Sequence, residues 1–124
     1  MAQLYRQREM KAAAIAQLEQ ITANEKVISA DLWQQLGDLY LDIELHAQAE
    51  EKYKNALSAA EANGNQQAEA LAYFGLAQTA YVFEEDEQAL EYLDQAEARS
   101  RQIGDNVVAE AVAELKQKIE ELTN

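Results

Sequence analysis

The chain has no cysteine and no proline, and only four glycines in 124 residues. Without cysteine there can be no disulfide, no zinc–thiolate site and no thiol nucleophile. Without proline, no residue forces a helix to break. No stretch alternates apolar and polar residues as a half-buried strand does. No apolar run approaches the length needed to cross a bilayer. The first twenty residues carry Arg6, Arg8 and Lys11 but no unbroken apolar stretch of the kind a secretory signal needs, so a cytoplasmic address is expected. Cations are scarce, ten Lys and Arg against 23 Asp and Glu, for a net charge of −13. Every phosphate contact needs a cation, so neither nucleic acid nor an anionic membrane is an expected partner. Basic or apolar proteins are. A solvated helix surface rich in glutamate is the plain source of the acidity.

What is present is alanine, at 24 positions, within a chain that is 48% apolar. Alanine is the best helix former and a thin spacer between close helices. The length suits a single domain, residues 1–124.

The sequence repeats itself after forty residues. Trp33 falls on Tyr73, Leu36 on Leu76, Gly37 on Ala77, Ala49 on Ala89, Tyr53 on Leu93 and Ala56 on Ala96. Gly64-Asn65 falls on Gly104-Asp105. Each unit, 29–63 and 66–103, reads as a helical hairpin. In the first, helices over 29–43 and 46–63 are predicted, with Ser29 or Asp31 as the cap. Gly64 is the left-handed residue that stops the second helix. In the second, helices are predicted over 66–83 and 86–103. Asp86 is the expected cap there, Gly104 the stop, and Asp105 or Asn106 the cap of the next helix.

Trp33, Leu36, Gly37, Tyr40, Ala49, Tyr53 and Ala56 give the chain a resemblance to the tetratricopeptide family, which places such residues at this spacing. The second copy, Tyr73, Leu76, Ala77, Ala80, Ala89, Leu93 and Ala96, follows the pattern more loosely. Small residues at Gly37/Ala77 and Ala49/Ala89 let helices approach, and bulky ones at Trp33/Tyr73 and Tyr53/Leu93 fill the gaps. The chain departs from the family in three ways. Glu61 and Arg101 stand where a proline is usual. Glu44 and Glu84 stand where the turn within a hairpin has glycine. The period is forty rather than 34, which resembles a long-helix variant. The resemblance implies an all-α fold: antiparallel helical hairpins in a short right-handed superhelix, an α-solenoid of about five helices.

The ends read as partial units. A helix over 3–22 carries Ala14, Leu18 and Ile21 as the remnant of a second helix, with Leu4, Tyr5 and Met10 left over for the end of the stack or a contact between chains. A helix over 106–122 places Ala113, Lys116, Gln117 and Glu120 at the signature positions, facing no further helix. Its apolar residues, Val108, Val112, Leu115, Ile119 and Leu122, form one narrow stripe. A capping helix packed backward on the second unit accounts for this, and its polar outer face suits a natural end of the chain. The alternative is that the stripe pairs with its copy in a homodimer.

Catalysis needs convergent polar groups of distinct roles, and the sequence offers none. The single histidine, His46, opens a second helix and is expected to cap or pack there. Glu84, Glu85, Asp86 and Glu87 form the densest acidic run, at a turn and helix start where acids suit the dipole. It lacks the spacing and turn glycine of a calcium loop. No enzyme, metal or cofactor is expected. The resemblance instead implies a concave groove lined by the first helices, here Asp31, Gln34, Asp38 and Asp42, then Leu71, Phe74, Gln78 and Tyr81, then Glu114 and Lys118. Phe74 and Tyr81 share a helix face, as peptide anchors or as core. Some members of the family grip a terminal carboxylate with Lys, Asn and Arg in this groove. Lys118 alone is cationic here, so a basic or apolar peptide is the expected guest of an adaptor. Self-association through the end helices is the second reading, and an acidic decoy for a nucleic-acid-binding surface the third.

Overall fold

The computed structural model describes the backbone of residues 2–123 and the side chains of residues 6–121. Among the described residues it is all-α, with six helices: α1 (Ala2–Asn24), α2 (Ala30–Asp42), α3 (His46–Asn63), α4 (Gln66–Val82), α5 (Asp86–Ile103) and α6 (Asn106–Thr123). All six helical spans read from the sequence are present, so the summary count of about five is one too few.

Local chemistry sets the helix ends. Ser29 caps α2 by accepting the Leu32 N–H at 3.2 Å, and Asn65 caps α4 through Ala68 at 3.1 Å. Asp105 Oδ1 accepts from Val107 and Val108 at 3.0 and 3.2 Å, so Asp105, not Asn106, caps α6. Asp86 does not cap α5. It is the first residue inside that helix, and Glu85, in the capping position, makes no side-chain hydrogen bond to the helix. The reason lies in the preceding turn. There Glu84 is left-handed at φ 61°, its N–H bonds to Tyr81 O, and the Glu85 N–H bonds to Ala80 O. This is the six-to-one, five-to-two pattern of a Schellman turn. The same pair of bonds recurs at Glu44, Gly64 and Gly104, all left-handed, so the turns fall at even intervals of twenty residues.

Each helix packs on the next in sequence. In addition α2 packs on α4, and α4 on α6, whereas α3 and α5 have no close backbone approach among the described residues. The α2–α4–α6 row is therefore the tighter, inner side of a stack of hairpins. Leu36, Gly37, Ala49, Tyr53 and Ala56 in the first unit are buried, as are Leu76, Ala77, Ala89, Leu93 and Ala96 in the second. Gly37 and Ala77 are thus both buried at the matching position of their units. Trp33 and Tyr73, expected to fill interior gaps, are only half-buried. Lys52 covers the Trp33 ring at 5.3 Å and Arg99 the Tyr73 ring at 4.8 Å.

Tyr53 is the largest fully buried side chain. A Cβ built on Gly37 would stand 2.6 Å from its ring carbons, and one on Gly75 2.5 Å from them. The ring therefore lies in a slot that α2 and α4 make by omitting side chains. Its hydroxyl donates to Asp38 Oδ1 at 2.6 Å. Burial pushes the phenol well above its ordinary range, reinforced by the hydrogen bond to Asp38.

α6 packs backward on α5 and α4, and Val108, Val112, Leu115 and Ile119 are buried there. Lys116 ties its flank to Asp94 and Glu97 at 2.7 and 2.8 Å. Of the outward signature positions, Ala113, Gln117 and Glu120 are exposed. The stripe proposed for a homodimer is thus used inside the chain, apart from Leu122, which lies outside the described side chains.

α1 packs on α2, and Ile15 is its one buried residue among those described. Of the residues expected to dock it, Ala14 and Leu18 are half-buried and Ile21 is exposed. The shift arises because polar ties set the register. Glu19 accepts from the Tyr40 hydroxyl at 2.8 Å and pairs with Lys52 at 3.3 Å, and Arg8 donates to Ile43 O at 2.9 Å. Met10 is 71% exposed. Leu4 and Tyr5 lie outside the described side chains.

Candidate functional site

Among the described residues, two clefts on the inner row take in the expected groove positions. The larger, about 560 Å³, lies where the C-terminal halves of α2 and α4 meet α6. Asp42, Phe74, Gln78, Tyr81, Glu114 and Lys118, all expected from the sequence, line it together. The smaller, about 230 Å³, lies between the N-terminal halves of α2 and α4 and takes in Asp31, Gln34 and Leu71. Asp38 lines neither. It stands between them on α2 and holds the Tyr53 hydroxyl.

Helix geometry explains the grouping. Phe74, Gln78 and Tyr81 recur every three to four residues, so they share one face of α4. Phe74 and Tyr81 are half-buried and pack on the cluster containing Val112, Leu115 and Leu93. They are both core and wall: they pack on that cluster and also line the cleft. Leu41, Val82, Ala111 and Leu115 extend this apolar surface. The rim is polar and mainly acidic, with Asp42, Glu44 and Glu114 against His46 and Lys118. Asp42 pairs with Lys11 of α1 at 3.4 Å, across an exposed and hence weak contact. Among the described residues Lys118 makes no ion pair.

Sequence reasoning missed Leu41, Glu44, His46, Val82, Ala111 and Leu115 as lining. Glu44, His46 and Val82 sit at the chain turns, where a helix-face argument has no register to follow, and Leu115 was read only as part of the packed stripe of the last helix. The usable signal was the turn itself: Glu44 follows the end of α2, so it and His46 must lie beside Asp42. His46 also packs as expected, its ring edge-on to Phe83 at 6.1 Å.

In the smaller cleft Gln34 bridges the helices, its Nε2 donating to Leu71 O at 3.2 Å. Its amide also supports the Asp38 carboxylate. Gln34 Oε1 is buried without a hydrogen-bond partner. The Asp38 carboxyl is pushed above its ordinary range, first by desolvation, with Asp42 adding to this and the bonds from Tyr53 and Gln34 opposing it. Asp38 is exposed as a residue, but its Oδ1 end is turned into the part-buried bond with Tyr53.

The acidic run at the α4–α5 turn borders an open dent with Gln88 and Glu91. Among the described residues no group of three or more His, Asp or Glu side chains is placed to hold a metal ion. No described helix is long and apolar enough to cross a membrane. No family model matches the chain, and no curated protein is found similar to it.

Proposed function

We propose that this is a protein-binding module of tetratricopeptide type that holds a basic, partly apolar peptide segment along the inner row of helices. The observation that carries the reading is the larger cleft. Residues from four separate helices converge there on a half-buried aromatic wall under an acidic rim. Apolar anchors supply affinity when they leave water, and the carboxylates favour cationic side chains beside them. The seven-residue signature of the first unit supports the same reading.

Selection from a random displayed-peptide library tests it. Enriched peptides are expected to combine Lys or Arg with Leu, Ile or Phe, and Asp42→Lys with Glu114→Lys is expected to abolish their binding. Both positions are exposed, so the double variant keeps the fold. Failure to enrich any peptide, or enrichment indifferent to the charge reversal, would remove the proposal.

A further inference from the structure

The two halves of α1 are held by different means. In the C-terminal half Ile15 is buried and Leu18 half-buried. Glu19 there accepts from the Tyr40 hydroxyl at 2.8 Å and pairs with Lys52 at 3.3 Å. The N-terminal half has no comparable seat. From residue 6 to residue 13 only Lys11 is even partly buried. Two polar contacts tie this half down: Arg8 donates to Ile43 O at 2.9 Å, and Lys11 pairs with Asp42 at 3.4 Å. Burial of apolar area holds a helix far more firmly than exposed ion pairs do.

Both contacts fall on the rim of the larger cleft. Asp42 and Glu44 line it, and Ile43 stands between them. The cations come from a stretch of positive balance in a chain of net charge −13: among the first eighteen residues Arg6, Arg8 and Lys11 stand against Glu9 alone. The protein's own α1 thus places a cation on the acidic rim that the cleft offers to a basic guest. Two cations at one exposed carboxylate repel each other, so guest and Lys11 compete for Asp42.

We propose that the N-terminal half of α1 is a strap on the rim of the larger cleft. A basic guest displaces Lys11 from Asp42, and this half of the helix lifts while the half beyond Ile15 stays seated. The inference rests on the groove reading above and adds regulation to it. Release of the strap and binding of the guest favour each other by the same factor.

Amide hydrogen exchange of the full chain tests the strap without any guest. Asp42→Asn is expected to speed exchange over residues 6–13 about threefold, the size of effect an exposed ion pair allows, and to leave 17–23 unchanged. A fluorescein-labelled octapeptide of alternating lysine and leucine serves as the guest, its binding read by fluorescence polarisation. Saturation with it is expected to speed the same amides. Lys11→Gln is expected to tighten its binding about threefold in the native background and to change nothing in Asp42→Asn, where no ion pair is left to break. Unchanged exchange in Asp42→Asn would overturn the strap whatever the peptide does. A bound peptide that leaves α1 exchange unaltered would overturn the strap and leave the groove in place. So would a Lys11→Gln effect of equal size in both backgrounds, which simple removal of a nearby charge produces. No binding of the peptide would overturn the groove reading and the coupling together.

Discussion

The two hairpins solve one packing problem with different residues. In the first, Tyr53 is the bulky element, and two helices make room by omitting a side chain, at Gly37 and Gly75. In the second, Leu93 is the bulky element and shares a buried cluster with Ala77. Volume lost on one helix is returned on its neighbour, so the backbone arrangement survives while the residues change. The first unit gains a buried hydroxyl tied to the groove through Asp38. The second gives up that link and buries a purely apolar side chain.

If this is right, the units differ in what they lose when the wedge is removed. Tyr53→Ala empties the slot between α2 and α4 and is expected to cost about 4 kcal/mol. Leu93→Ala is expected to cost about 3 kcal/mol. Urea unfolding measures both. A cost for Leu93→Ala equal to or above that for Tyr53→Ala would break the comparison, because the first unit would then not depend on its larger wedge.

The glycine slot makes a sharper claim. Gly37→Ala gains about 1 kcal/mol of helix propensity, but its methyl meets a ring with nowhere to go. Overpacking of this kind costs about 1–3 kcal/mol, so a net loss of about 1 kcal/mol is expected. In a Tyr53→Leu background the same change recreates the Ala77–Leu93 pair and is expected to be neutral or stabilising. The double-mutant cycle should give a coupling of at least about 1 kcal/mol. Additive effects would show that the slot is not shared.

Alkali acts on both units, since burial also raises the Tyr92 phenol of the second. Tyr53 and Tyr40 both belong to the first, and both phenols are raised, Tyr40 to about 12 by desolvation first and then by Glu19. A group raised on folding contributes stability that is fully present below its unfolded value, here about 10, and lost as pH rises through the folded value. Stability should therefore fall between about pH 10 and 12, and Tyr40→Phe should flatten part of that fall. Asp38 works in the same sense at low pH: its contribution is present below the ordinary carboxylate value and lost as pH rises through the elevated one. Asp38→Asn should remove that slope, read by chemical denaturation across the acid range.

Much of this was legible in the sequence because it depends on short-range chemistry. The pair of glycines at Gly64 and Gly104 ended two helices where expected, and Ser29 and Asp105 were foreseeable caps. Aligning units at forty residues found Gly37 opposite Ala77. It could not find Gly75, which aligns with exposed Gln35 and meets Tyr53 only across the boundary between units. Packing between units has no signature within one. The aromatic wall of the larger cleft was foreseen on α4, but its closure by His46 and Glu44 depends on how a turn folds back. The division of the groove into two clefts was also invisible, since it depends on how side chains of α2 turn toward their neighbours, Gln34 to Leu71 O and Asp38 to the Tyr53 hydroxyl.

The turns give the smallest expected effect and the cleanest comparison. Four left-handed residues close the hairpins, glutamate within each unit and glycine between them. A residue with a Cβ in that conformation gives up about 1 kcal/mol relative to glycine. Glu44→Gly and Glu84→Gly are each expected to stabilise the chain by about 0.5–1 kcal/mol, the gain reduced by glycine's greater freedom when unfolded. Gly64→Glu should cost a similar amount. No atom lies within 4 Å of a Cβ built there, so the cost is conformational and not a clash. Thermal or urea melts of the three variants test the symmetry. A loss of stability in both glutamate variants would mean that the side chains make contacts worth more than the strain. The two should then part in function: Glu44 lines the larger cleft and Glu84 does not. Both replacements should raise stability, but only Glu44→Gly should weaken a basic peptide. A gain in stability and a loss of binding at one turn, with a gain alone at the other, would show that a strained residue is kept at the first for its charge.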